Sequence, residues 1–160
     1  MNKEQKKFEE LFITKTKDIL PGIKKFEDKE LEKITPFSHT MYTFTNVCPL
    51  MFINSLGHKY TPKRAYIFIH TDISPNGIDS TGRIGRTWTI DFEVKGNYKP
   101  YRCRRIEENA LVYKFYSYSE DPEEVIKSFI AWYNTAMTND YNFKRFMTGD
   151  KILDKKGKRH

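Results

Sequence analysis

The chain of 160 residues contains only two cysteines, Cys48 and Cys103. Two cysteines cannot form the disulfide framework on which small secreted domains depend. No apolar run approaches the roughly 20 residues that cross a bilayer, and the opening residues, MNKEQKKFEELF, lack the apolar segment of a secretory signal. These absences predict a soluble, reduced, cytoplasmic protein.

Histidine is also scarce, with four in the chain. A zinc site built from these histidines and the two cysteines would lack the CxxC or HxxxH spacing that such sites use. The His-Thr pairs at 39–40 and 70–71 are similar to the paired His-x-Thr/Ser motifs of two-histidine phosphoesterases, but Met41 and Asp72 occupy the hydroxyl positions. We therefore expect no histidine-based site.

Aromatic residues are abundant, with 12 Phe and 10 Tyr, and they are sufficient to build a hydrophobic core. Apolar spacing predicts helices over residues 3–20 and 23–34, and strands over 39–47, 65–73 and 86–95. Gly96-Asn97 is expected to turn the chain, and residues 100–106 are expected to pair with the preceding strand. Residues 100–106 and 111–119 are in turn expected to form a hairpin around Glu107–Ala110. LMFINSL, 50–56, fits either a strand or a short helix.

The final helix has the clearest start signal. Asp121 is a suitable N-cap, Pro122 suits the first helical position, and Glu124 completes a capping box. The order of elements predicts an α+β fold, in which an N-terminal helical hairpin and this helix pack on a mainly antiparallel sheet of about five strands. We expect one domain over residues 1–150 and a basic flexible tail over 151–160.

The segment RTWTIDFEVKG, 86–96, alternates strictly between apolar and polar residues. Successive side chains of a strand point to opposite faces. Trp88, Ile90, Phe92 and Val94 are therefore expected to face the core, and Asp91, Glu93 and Lys95 the other side of the sheet.

Positive charge is concentrated in particular segments of the chain. Residues 83–105 hold seven basic residues and two acidic ones, although the net charge of the whole chain is only +7. Clustered Lys and Arg bind phosphate backbones with release of counterions. The predicted binding residues are Arg83, Arg86, Lys95, Lys99, Tyr101, Arg102, Arg104 and Arg105. We expect binding without catalysis or a cofactor.

An enzymatic alternative uses the same region. Glu93-Val94-Lys95 resembles the acidic-x-Lys element of restriction-endonuclease-like enzymes, and Asp79 could supply the preceding carboxylate. The resemblance implies a Mg²⁺-dependent nuclease in which Asp79 and Glu93 bind the metal and Lys95 stabilises charge. The residue before Asp79 is Ile rather than the Pro that often precedes the family aspartate.

The partner expected under the binding hypothesis is a nucleic acid or a nucleoprotein complex. The Lys, Ile, Asn, Phe and Tyr bias is typical of AT-rich bacterial or phage genomes, which suggests an accessory protein of a phage or mobile element. A protein-binding inhibitor of a host defence nuclease is a further alternative, in which Tyr, Phe and Arg would anchor the interface.

Overall fold

A computed structural model describes residues 3–20, 23–25, 39–44, 50–73 and 85–149. The helices are α1 (Lys3–Thr16), α2 (Pro122–Asn139) and α3 (Tyr141–Thr148). The strands are β1 (Ile23–Lys25), β2 (His39–Phe44), β3 (Phe52–Ile53), β4 (Lys59–Ile73), β5 (Arg86–Lys99) and β6 (Glu107–Ser119). No helix in the described part of the chain has the length and apolar character to span a membrane.

The six strands form one antiparallel sheet in the order β1-β2-β4-β5-β6, with the short β3 added to β4. This arrangement confirms the predicted α+β class and antiparallel sheet. β4 and β5 pair over almost their whole length, from Lys59–Lys99 at one end to Ile73–Arg86 at the other. The central scaffold is therefore a long two-stranded ribbon with further strands on both sides.

A single hydrophobic core joins the helices to one face of this sheet. Phe12 of α1 contacts Tyr42 of β2 and Phe129 of α2, with ring centroids 5.5 and 5.9 Å apart. Phe92 of β5 contacts Phe129 at 6.3 Å and Phe143 of α3 at 5.7 Å. All three helices thus cover the same face, which we call the covered face.

The alternation predicted for β5 is confirmed. Ile90, Phe92 and Val94 are fully buried against the helices, and Trp88 is partly buried beside them. The side chains of Asp91 and Glu93 are 19% and 15% exposed on the opposite face.

Several predicted elements are wrong. Residues 107–110, the predicted turn before strand 111–119, lie inside β6. Ile23–Lys25, which we expected in a second helix, forms strand β1 paired with β2, and the rest of that predicted helix lies outside the described residues. Gly96 and Asn97, the predicted turn, lie inside β5. A Cβ atom at Gly96 would lie 2.1 Å from the Thr61 carbonyl oxygen, so this glycine permits close backbone approach within the sheet.

The predicted start of α2 is confirmed. The Asp121 side chain accepts a hydrogen bond from the Glu123 N–H at 2.9 Å, and Pro122 opens the helix. The Asp121 N–H donates to Ser119 Oγ at 3.1 Å, so Ser119 takes the role that a capping box would give to Glu124. This local chemistry sends the chain from β6 directly into the helix that covers it.

Candidate functional site

The face of the sheet opposite the core is the candidate site. The helices described here all pack on the covered face, which leaves polar and aromatic side chains together on the other face. We call this surface the open face. It comprises Arg64, Tyr66, Phe68 and His70 of β4, the buried Thr89 together with Asp91, Glu93 and Lys95 of β5, and Leu111, Lys114, Tyr116 and Tyr118 of β6.

Strand pairing arranges these side chains in rows that cross the sheet. Phe68, Asp91 and Tyr116 form one row, and Tyr66, Glu93 and Lys114 form the next. Side chains directly opposite on neighbouring strands have Cβ atoms about 4.5–5.5 Å apart. At the centre of the open face, Asp91 therefore lies between two aromatic residues, and Glu93 lies between a tyrosine and a lysine.

The two carboxyl groups are balanced by two lysines. Lys95 Nζ lies 3.5 Å from Glu93 Oε1, and Lys114 Nζ lies 4.0 Å from Asp91 Oδ2. The second oxygen of Asp91, Oδ1, is buried and has no hydrogen-bond partner among the described residues. The centre of the open face is therefore close to electrically neutral, with one oxygen inaccessible to water.

Burial makes the ionised form of Asp91 unfavourable. Desolvation, followed by the hydrogen bond and negative charge of Glu93, raises the pKa of Asp91 from 3.8 to about 6, and Lys114 and Lys95 oppose the rise. The charge at the centre of the face therefore changes near neutral pH.

Net positive charge lies at one end of the sheet, where β4 begins and β5 ends. Residues 54–64 and 95–106 contain no acidic residue and eight basic ones. We call this set the basic end, and it comprises Lys59, Lys63, Arg64, Lys95, Lys99, Arg102, Arg104 and Arg105. In the described part of the chain, only Lys95 of this set makes an ion pair within the protein.

Two pairs of basic residues lie directly opposite each other at this end. Lys59 is the partner of Lys99, and Arg64 is the partner of Lys95, on the adjacent strands β4 and β5. Like charges at opposed positions destabilise a sheet. The ion pair of Lys95 with Glu93 offsets part of this repulsion, and a bound polyanion would reduce the rest.

The turn between β5 and β6 holds the remaining basic residues. The Cys103 N–H donates to the Pro100 carbonyl at 3.1 Å, and Arg102 within this turn has φ 61°, a left-handed conformation that favours Gly or Asn. The Arg102 guanidinium lies 5.0 Å from the ring centre of Tyr101. Residues 100–106 were predicted to be a strand, and this turn corrects that prediction.

An aromatic cluster lies at the same end of the sheet as the basic end. The Phe52 and Tyr60 rings stack with centroids 5.2 Å apart, and Tyr60 lies 5.1 Å from Tyr98. Tyr98 Oη is 2.7 Å from His58 Nδ1, which joins the end of β5 to the start of β4. Sequence reasoning missed this cluster, because Tyr60 and Tyr98 meet only through the pairing of strands whose residues are nearly forty positions apart.

The predicted binding residues do not form one patch. Lys95, Lys99, Tyr101, Arg102, Arg104 and Arg105 belong to the basic end or lie beside it. Arg86 lies at the other end of β5, thirteen residues from Lys99 and thus roughly 40 Å away along an extended strand. Arg83 lies outside the described residues.

The residues of the nuclease alternative are only partly placed. Glu93 and Lys95 are neighbours on the open face, as that alternative requires, and Asp79 lies outside the described residues. Within the described segments, no group of three or more His, Cys, Asp or Glu side chains is arranged to hold a metal ion.

Comparison with known proteins adds no functional assignment, because no family model, curated protein or solved structure matches the chain. The open face and the basic end are therefore the features of the molecule from which a function can be inferred.

Proposed function

We propose that the protein binds single-stranded nucleic acid across the open face, with phosphates held at the basic end. The observation that carries this proposal is the presence of two pairs of opposed like charges, Lys59–Lys99 and Arg64–Lys95. Their repulsion is relieved when phosphate oxygens lie between or above them. Of these four side chains, only Lys95 has an anionic partner among the described residues, Glu93 at 3.5 Å.

The aromatic residues favour a single strand over a duplex. Tyr116 and Tyr118 are exposed on β6, and Tyr101 is exposed beside Arg102 in the turn. Bases of a single strand can stack on such rings, at about 1–3 kcal/mol per base. A duplex keeps its base faces within its own stack, so it would gain only the contacts made to phosphates.

The two carboxyl groups of the open face, Asp91 and Glu93, are also compatible with binding to nucleic-acid bases. Asp91 and Glu93 lie at the middle of the two rows that cross the sheet, each beside a lysine. Carboxylates accept hydrogen bonds from exocyclic amino groups of bases, as in contacts to cytosine N4. The face thus combines phosphate contacts at one end with groups suited to bases at its centre.

The test measures the affinity of fluorescently labelled single strands of DNA and RNA, and of a duplex of the same sequence, as a function of salt. With four or five phosphate contacts the slope of log K against log salt should be about −3, which corresponds to a loss of roughly 60-fold between 50 and 200 mM. The single strands should bind more tightly than the duplex.

Arg102→Asn is the most informative variant for this assay. It removes a charge from a left-handed position that Asn tolerates, so the fold should be retained while the slope decreases by about 0.7. Arg86→Asn is the matched control, since Arg86 lies at the far end of β5, and it should leave binding unchanged.

Other outcomes lead to different conclusions. Equal effects of the two arginine variants would contradict the assignment of the basic end. Equal affinity for duplex and single strand, unaffected by Tyr116→Ser, would contradict stacking on the open face. Salt-indifferent binding, or no binding, would point to a protein partner instead. Mg²⁺-dependent cleavage of the strand, lost in Glu93→Gln, would support the nuclease.

A further inference from the structure

The two outer strands of the sheet differ in how well they are protected from pairing with another strand. β1 has three residues, and two of them are lysines, Lys24 and Lys25. Short, lysine-bearing strands resist edge-to-edge association. β6 has thirteen residues, and its outer edge pairs with no strand in the described part of the chain.

Irregular pairing with β5 protects only the first half of β6 from association with another strand. The register with β5 shifts near Lys95 and again near Tyr98, and Asn109 has φ 56°. Such bulges disrupt a strand edge. Residues 113–119 then pair with β5 without interruption, which leaves a regular free edge of about seven residues.

The side chains along this regular edge are complementary to those of the same edge in a second copy of the chain. Tyr116 and Tyr118 are 55% and 67% exposed on the open face, with Lys114 before them and Glu120 after them. In an antiparallel pairing with a two-fold axis at Ser117, Tyr116 lies opposite Tyr118 of the second copy. Lys114 then lies opposite Glu120 of the second copy, and both contacts occur twice.

We propose that β6 pairs with β6 of a second copy of this chain, about a two-fold axis through Ser117, to form one continuous antiparallel sheet. Among the symmetric registers available to this edge, this one pairs both charges with opposite charges. A register centred on Lys114 would place two lysines together, and one centred on Tyr116 would place Lys114 against tyrosine.

The covering helix leaves space for the second copy. α2 contacts both β5 and β6, and its Trp132 stacks on Phe115 of β6 with ring centroids 4.8 Å apart. The helix positions one turn before and one turn after Trp132 carry the small, exposed residues Ser128 and Thr135. With strands about 4.8 Å apart, the two α2 helices would lie roughly 10 Å from each other, which is an ordinary packing distance.

This proposal stands without the proposed function, because it depends only on β6 and its neighbours. The dimer and the proposed binding of nucleic acid are nevertheless connected. The axis is perpendicular to the sheet, so the two open faces would join on one side with a basic end at each outer extremity. A single strand could then contact both copies, and the second contact would benefit from an increased effective concentration.

A disulfide test can identify the axis, with Ser117→Cys and Ser119→Cys compared in a background in which both native cysteines are replaced, Cys48→Ser and Cys103→Ser. At the axis, the two copies of residue 117 have Cα atoms about 4.5–5.5 Å apart, within the range of a disulfide. The two copies of residue 119 would be roughly 14 Å apart along the strand direction. Mild oxidation should cross-link most of the first variant and little of the second.

Sedimentation of the unmodified protein provides the independent measurement. We expect the dimer mass, and we expect Glu120→Lys to shift the protein to the monomer mass, whereas Glu108→Lys on the bulged half of β6 leaves the dimer intact. A monomer mass at every concentration up to about 500 µM would overturn the dimer. Equal cross-linking at positions 117 and 119 would overturn the register.

Discussion

The two faces of β5 are made by the same backbone from alternate residues, yet their chemistry differs. Ile90, Phe92 and Val94 are fully buried by helices on the covered face. Asp91 and Glu93, between them in sequence, hold half-buried carboxyl groups among tyrosines and lysines on the open face. Partly desolvated charge contributes little to stability. The covered face therefore contains the hydrophobic core, and the open face carries the polar and aromatic side chains on which the proposed binding depends.

The largest expected effect is a difference in the free energy of unfolding between substitutions on the two faces. Phe92→Ala removes a ring that contacts Phe129, Trp132 and Phe143, and should lower the free energy of unfolding by about 4 kcal/mol. Leu111→Ala on the open face should lower it by less than about 1 kcal/mol, because that side chain is exposed and lies outside the regular edge of β6. Urea denaturation measures both values. Similar losses would show that the open face also supports the fold.

A smaller loss is expected at the boundary of the basic end. In Gly96→Ala the added Cβ would meet the Thr61 carbonyl oxygen and the Pro62 Cα, so β4 and β5 must separate locally. We expect a cost of about 2–3 kcal/mol, typical of overpacking. Urea denaturation measures the cost. Gly57→Ala is not a suitable control, because the backbone at Gly57 has φ 81°, which is strained for any residue with a side chain. Ala110→Gly is the better control: Ala110 lies opposite Gly96 on β6, and this change increases backbone flexibility without overpacking. A Gly96→Ala protein as stable as the unmodified one would contradict the close approach.

The smallest expected effect concerns the charge of the open face. The pKa of Asp91 is about 6 in the folded protein, whereas the ordinary value of 3.8 applies to the unfolded chain. As pH rises, the unfolded chain therefore loses the Asp91 proton at a lower pH than the folded protein does. The contribution of Asp91 to stability is therefore greatest below pH 4 and is lost between about pH 4 and 6.

Asp91→Asn should remove this pH dependence. We expect the variant to match the unmodified protein near pH 4 and to be more stable at pH 7 by about 1 kcal/mol, a value reduced by the partial solvent screening of this carboxyl. Thermal unfolding from pH 4 to 8 checks this expectation. A variant that is less stable at pH 7 would show that the Lys114 contact outweighs the cost of burial.

The comparison of the two faces also explains what could be predicted from the sequence. The alternation of β5 was predictable because the period of a strand is a local property of the chain. The hairpin at Gly96-Asn97 was predicted wrongly, because glycine is as suitable for close backbone approach as for a turn. The opposed pair Lys59–Lys99 could not be anticipated, since it depends on which strand pairs with which and in what register.

The predicted basic surface illustrates the same limit on a larger scale. Consecutive basic residues from 83 to 105 were expected to form one surface, but β5 is long enough to place Arg86 and Lys99 at opposite ends of the sheet. Lys59, Lys63 and Arg64 join the basic end instead, because β4 runs antiparallel to β5. Sequence charge counts identify such residues, and strand pairing determines which of them act together.

The most direct test of the central claim is an NMR titration of the ¹⁵N-labelled protein with a single-stranded oligonucleotide of about ten nucleotides. Binding at the proposed site should shift amide signals of the β4 start, the β5 end, the turn at 100–106 and the open-face residues Asp91 and Glu93. Signals from the outer surfaces of α1 and α2 should stay in place. Shifts confined to the helices, or no shifts at millimolar oligonucleotide, would contradict the assignment of binding to the open face.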